Sequence, residues 1–116
     1  MPITLYHNAR CSKSRDTLAL LTEQGIAPEI VAYLDTPPDA VTLRSLLQKL
    51  GFTDARALMR KGEAEYKELN LADPSLSQDA LIDAMVANPK LIERPIVVNG
   101  EQAALGRPPE NVLGIL

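Results

Sequence analysis

The stretch His7-Asn8-Ala9-Arg10-Cys11-Ser12-Lys13-Ser14-Arg15 holds the chain's only cysteine and only histidine among three basic residues. The chemistry open to it is nucleophilic, because the thiolate is the reactive form of cysteine and positive surroundings favour it. Ser14 stands three residues after Cys11, giving Cys-x-x-Ser. On a first helical turn its hydroxyl can donate a hydrogen bond back to the sulfur. His7 can share a proton with the site or orient it. The bland alternatives differ in strength. A lone cysteine is commonly a small buried apolar residue, and a polar, basic loop is the wrong setting for that. A lone histidine after a strand packs or bonds locally as readily as it acts. A metal centre is disfavoured, since one Cys and one His cannot supply tetrahedral N/S coordination. A phosphatase-type loop needs an arginine six residues after the cysteine. Thr17 occupies that place and Arg15 falls two residues short.

Three arginines elsewhere have distinctive neighbours. Arg60 lies in Ala-Leu-Met-Arg-Lys-Gly-Glu, Arg94 directly precedes Pro95, and Arg107 directly precedes Pro108. A guanidinium is planar, always charged and multiply donating, so it matches tetrahedral oxyanions. Forks converging on one thiolate would make an anion site with a nucleophile in its floor. The ordinary fate of any one surface arginine is a solvated side chain.

The elements that would position these residues are legible in outline. Residues 3–6 read as a strand that hands over directly to the cysteine loop. Residues 12–25 follow a helical pattern, with Leu18, Leu20 and Leu21 apolar and Gly25 as a stop. A thiolate at that helix start would meet unpartnered N–H groups and the positive end of the helix dipole. Residues 28–34 are a second strand candidate. Residues 36–51 are a helix, with Pro37 at an early position, Leu43, Leu46, Leu47 and Leu50 on one face, and Gly51 at the end. Residues 53–71 suggest two short helices broken near Gly62, and 77–89 a further helix. Residues 95–106 are two apolar runs around Asn99-Gly100, expected as a type I′ hairpin turn. A short helix closes the chain over 108–116. The order β-α-β, a helical block, then β-β-α predicts an α/β fold with a thioredoxin-like mixed sheet. In such a fold a proline heading the third strand is commonly cis and faces the cysteine loop, which makes Pro95 the cis-proline candidate and brings Arg94 beside Cys11.

The bulk numbers narrow the function classes. At 116 residues the chain fits one domain, 1–116, with the helical insertion at about 36–90. Such a chain can bury roughly 65–70% of its unfolded surface and needs no metal or disulfide staple. The expected setting is cytoplasmic: one cysteine cannot form an internal disulfide, and no signal peptide or membrane span is evident. A net charge of −3 and a pI near 5.1 argue against nucleic-acid binding, which needs a basic face. With three Tyr, one Phe and no Trp, a base-stacking surface is also unsupported. A monomer is the default expectation.

The segments ITLYHNARCSKSR, YLDTPP, ALMRKGEAEYKELNL, LIERPIVVNG and GRPPENVL together resemble the glutaredoxin-coupled arsenate reductases, in collinear order from residue 3 to the end. The resemblance implies a thioredoxin-like fold. It implies Cys11 as the nucleophile that attacks arsenate, Arg60, Arg94 and Arg107 as ligands of the oxyanion, and His7 and Ser14 as tuners of the thiolate. It implies no bound cofactor or metal, glutathione as co-substrate and glutaredoxin as partner; no second cysteine is present to resolve the adduct. Ser12-Lys13 stands where plasmid-borne resistance enzymes carry Gly-Thr, and their longer C-terminal tail is lacking. The chain is therefore most similar to the short chromosomal branch. Two other readings from the same superfamily stay open. One is a redox-sensing regulator that binds RNA polymerase, a type that usually carries Cys-x-x-Cys and lacks an arginine corresponding to Arg107. The other is a monothiol glutaredoxin-like oxidoreductase, which would leave the three arginines without a purpose.

Overall fold

In the computed structural model, which describes residues 2–116, strands β1 (Ile3–Tyr6), β2 (Glu29–Val31), β3 (Ile96–Asn99) and β4 (Gln102–Leu105) form one sheet in the order β2-β1-β3-β4. β1 runs parallel to β2, while β1–β3 and β3–β4 are antiparallel. The order and directions are those of the thioredoxin-like sheet expected from the sequence. A parallel pair needs a crossover, and helix α1 (Ser12–Glu23) provides it. The chain divides into two units. One comprises the chain up to Thr36 with Arg94–Leu116, and the other comprises Pro37–Glu93.

In the first unit, Leu5 of β1 pairs with Val97 of β3, so both side chains leave the same face of the sheet. They meet Leu21 of α1 and Val112 of the C-terminal 3₁₀ turn (Pro109–Ile115), and all four are fully buried. Leu18 and Leu20 pack at the margin of this core. Cutting a core leucine such as Leu21 to alanine costs about 2–5 kcal/mol. α1 stops where Gly25 takes φ +76°, a left-handed conformation that suits glycine. The Ile26 N–H then reaches back to the Leu21 carbonyl at 3.0 Å. β2 is shorter than the expected 28–34. After Val31 the chain turns, with the Asp35 and Thr36 N–H groups both on the Ala32 carbonyl.

The hairpin forms one residue later than expected. Asn99 pairs with Gln102, so Gly100 and Glu101 are the two loop residues. A type I′ turn needs positive φ at both centres, and only Gly100, at +63°, has it. Glycine at the first centre suits type II′ instead, and Asn99 is freed to donate from Nδ2 to the Ile115 carbonyl.

In the second unit, α2 (Ala40–Leu50) packs on α4 (Gln78–Ala87). The buried residues are Leu43, Leu46 and Leu47 on α2 and Leu81, Ile82 and Met85 on α4. Pro37 does not open α2. The helix starts three residues later, because the Asp39 carboxylate accepts from the Thr42 N–H at 2.8 Å and takes the cap position. Between these helices lie a 3₁₀ turn (Ala55–Leu58) and α3 (Ala64–Glu68), separated around Gly62. No helix among the described residues is long and apolar enough to cross a membrane.

Candidate active site

The loop between β1 and α1 is wound by its own polar groups. The Asn8 side chain accepts from the Arg10 N–H, and the Asn8 carbonyl from the Cys11 N–H, each at 3.0 Å. The Arg15 guanidinium donates to the Ala9 carbonyl at 2.9 Å. Ser14 is fully buried, and its hydroxyl oxygen lies 2.6 Å from His7 Nδ1 and 3.0 Å from the Asn8 N–H. The turn of chain before Cys11 is thus fastened to the first turn of α1.

Cys11 is the N-cap of α1. Its backbone is extended and its carbonyl accepts the Arg15 N–H at 3.0 Å, but its side chain makes no capping bond. Half-burial pushes the thiol pKa up. The Ser14 N–H, the charge of Arg94, the Lys13 N–H and the Arg107 side chain pull it down and together win, so the thiol lies below its ordinary value. Arg107 Nη1 stands 4.0 Å from the sulfur and donates to the Arg94 carbonyl at 3.1 Å. The Arg107 carbonyl is held by Asn111 Nδ2 at 3.0 Å. The Arg94–Pro95 and Arg107–Pro108 peptides are both cis. A cleft of about 380 Å³ opens between His7–Arg10 and Ala32, Leu34 and Asp35.

Two expectations change. The Ser14 hydroxyl does not reach the sulfur; it is committed to His7 and Asn8, and the main-chain N–H groups of Lys13 and Ser14 are what lower the thiol from the helix side. His7 bonds Ser14 and not Cys11. Burial and then the Arg15 charge lower its pKa, which favours the neutral ring over one that would add positive charge beside the thiolate.

The structure therefore brings Cys11, Arg94 and Arg107 together, with Ser14 and His7 behind them. Arg60 belongs to the other unit. There its N–H bonds the Leu91 carbonyl at 2.7 Å and its guanidinium pairs with Glu63 at 2.6 Å. Arg10 and Lys13, which stand out in the sequence, are exposed; Lys13 contributes through its backbone. Sequence reasoning misses Asn8 and Asn111. An Asn two residues before a turn residue is a recognisable local signal, whereas the Asn111 contact has none.

With this geometry in view, the comparisons with known proteins are direct. Residues 6–115 match the model of the ArsC family. An uncharacterized Escherichia coli protein, YfgD, is 64% identical over 114 residues, covering 98% of this chain and 96% of its own length. The arsenate reductase of Neisseria meningitidis serogroup A is 52% identical, covering 98% of this chain and 97% of its own. The solved structure of arsenate reductase from Vibrio cholerae is 59% identical and superimposes with a TM-score of 0.98, covering 100% of this chain and 98% of that one. A family match spanning nearly every residue, joined to relatives above half identity along their full length, settles the relationship: the chain belongs to the ArsC family.

Proposed function

We propose that this protein reduces arsenate to arsenite, with Cys11 as the attacking thiolate. The observation that carries the reading is the sulfur's setting. A lowered thiol stands at the start of α1, facing main-chain N–H groups and the guanidinium groups of Arg94 and Arg107. Such a site favours a thiolate and, next to it, a tetrahedral anion. Relatives named arsenate reductase support the choice of anion.

In the first step the Cys11 thiolate attacks arsenic, an S–As bond forms, and one oxygen leaves as water after protonation. Arg94 and Arg107 stabilise charge on the remaining oxygens. The family resemblance implies Arg60 as a further oxyanion ligand; within the second unit its guanidinium pairs with Glu63. Cys11 is the only cysteine, so the electrons come from outside. A glutathione thiolate displaces a second oxygen as water, giving a Cys–As(V)–glutathione adduct. A glutaredoxin thiolate then attacks the glutathione sulfur. The S–As electron pair passes to arsenic, reducing it to As(III), and leaves a mixed disulfide. Hydrolysis of the remaining S–As bond releases arsenite and restores the Cys11 thiolate. Two thiols are oxidised to one disulfide for each arsenate reduced. In this scheme Ser14 and His7 hold the loop rather than exchange protons with the sulfur.

The test is arsenite production by purified protein with arsenate, glutathione and glutaredoxin. Arsenite must form, and must fall to background with Cys11→Ser or without glutaredoxin. Arsenite formation at the Cys11→Ser level by the unaltered protein refutes the reading.

A further inference from the structure

We propose that Gly106 is a positioning residue for this reaction: its missing side chain lets the chain leaving β4 close onto Thr17 and Pro95, and that closeness sets the reach of Arg107 to Cys11. The inference rests on the reading of Cys11 and Arg107 given above.

A Cβ at Gly106 would overlap Thr17 Oγ1, lie 2.7 Å from Pro95 Cγ and stand 3.2 Å from Thr17 Cγ2. Real Cβ atoms essentially never show the first two approaches, and neither neighbour yields easily. Pro95 is a ring, and Thr17 is β-branched on a helix, where χ1 is stiff. Thr17 is also fully buried, with its hydroxyl donating to the Lys13 carbonyl at 2.9 Å. The backbone of Gly106 is not in the left-handed region, so the demand for glycine here is one of space and not of φ.

What the space controls is visible on both sides. Gly106 donates from its N–H to the Pro95 carbonyl at 2.9 Å, and Arg107 follows it directly. Arg107 then spans from the Arg94 carbonyl to the sulfur. On the far side of the contact, Thr17 holds the carbonyl of Lys13, whose N–H faces the same sulfur. A side chain wedged at residue 106 therefore parts the arginine-bearing strand ends from the turn that carries Cys11. Because the 4.0 Å contact is already long, a small outward shift removes it.

The experiment compares Gly106→Ala, Thr17→Ala/Gly106→Ala and Thr17→Val. The readouts are the pH midpoint of Cys11 alkylation by iodoacetamide, arsenate KM against kcat, and the melting temperature. Gly106→Ala should move the alkylation midpoint up toward that of a free thiol and raise arsenate KM by about tenfold, the size of a lost charge-assisted bond. Removing both Thr17 atoms in the double variant should bring the midpoint part of the way back. Thr17→Val puts a larger methyl where Oγ1 was, pressing on Gly106 from the other side, and should raise the midpoint less. A Gly106→Ala protein with the original midpoint and KM overturns the proposal, whatever its melting temperature. If Gly106→Ala does not fold, an unchanged midpoint in Thr17→Val overturns it, and a raised one supports it. The thiol titration uses no arsenate. Failure of the arsenate reading would show as absent arsenite from the unaltered protein and would leave the midpoint comparison intact.

Discussion

Helix α1 and the helices α2 and α4 begin in opposite ways. Asp39 and Ser77 cap α2 and α4 with side-chain oxygens that accept the Thr42 and Ala80 N–H groups, at 2.8 and 3.1 Å. At α1 the cap residue is Cys11, whose side chain makes no such bond. A neutral thiol is a poor acceptor, so the protonated protein leaves those N–H groups short of a partner, and deprotonation supplies one. Helices α2 and α4 thus commit their N-terminal electrostatics to stability. α1 keeps its own for a charge that comes and goes, and two arginines reinforce it.

The sharpest way to break this comparison is to give α1 an ordinary cap. Cys11→Ser should drop arsenite formation to background. Its hydroxyl is also a better cap than a neutral thiol, so near pH 5 the variant should be more stable by about 0.5–1 kcal/mol in denaturant unfolding. The sign reverses with pH. The folded thiol is lowered, so the stability that its ionisation contributes is present above the unfolded thiol's value and is lost as pH falls through the folded one. The advantage of Cys11→Ser should therefore shrink as pH rises toward ordinary thiol values. An advantage that is flat with pH would contradict the role given to the thiolate.

Removing the arginines should have the next largest effect. Arg94→Ala or Arg107→Ala should raise arsenate KM about 10- to 100-fold, as expected for loss of a charge-assisted bond, with little change in melting temperature. Parallel losses of activity and melting temperature would make these residues structural. On the other side of the comparison, Ser77→Ala should cost about 1 kcal/mol of stability and leave the Cys11 alkylation profile unmoved. The smallest effect concerns acid. Backbone hydrogen bonding from Thr42 holds the Asp39 carboxyl below its ordinary value. Its contribution is present above the unfolded carboxyl value and lost as pH falls through the folded one. The gap in stability between the protein and Asp39→Ala should be constant at neutral pH and close on acidification, read by denaturant midpoints across pH.

Much of the scaffold was legible because it is local. β1 running into a polar loop, the 12–25 helix ended by Gly25 and the apolar runs of the hairpin each carry their signal within a few residues. Where two local signals competed, the weaker one could mislead. Pro37 suggested a helix start, but Asp39 holds the cap. Asn99-Gly100 suggested a turn centre, but pairing of Asn99 with Gln102 moved it on by one residue. At the site, the types of the reacting residues could be read and their partners could not. Ser14 stands at the spacing that lets a hydroxyl reach a sulfur, yet it is buried against His7 and Asn8. Gly106 shows no pattern in sequence at all, because its reason is a contact with Thr17, 89 positions away in the numbering.

The central claim is that the start of α1 and two arginines hold the Cys11 thiol below its ordinary value. The rate of Cys11 alkylation by iodoacetamide, followed across pH by intact mass, tests it directly. The account predicts a midpoint below that of a free thiol in the unaltered protein, rising in Arg94→Ala and Arg107→Ala. A midpoint equal to that of a free thiol, unmoved by either substitution, would contradict it.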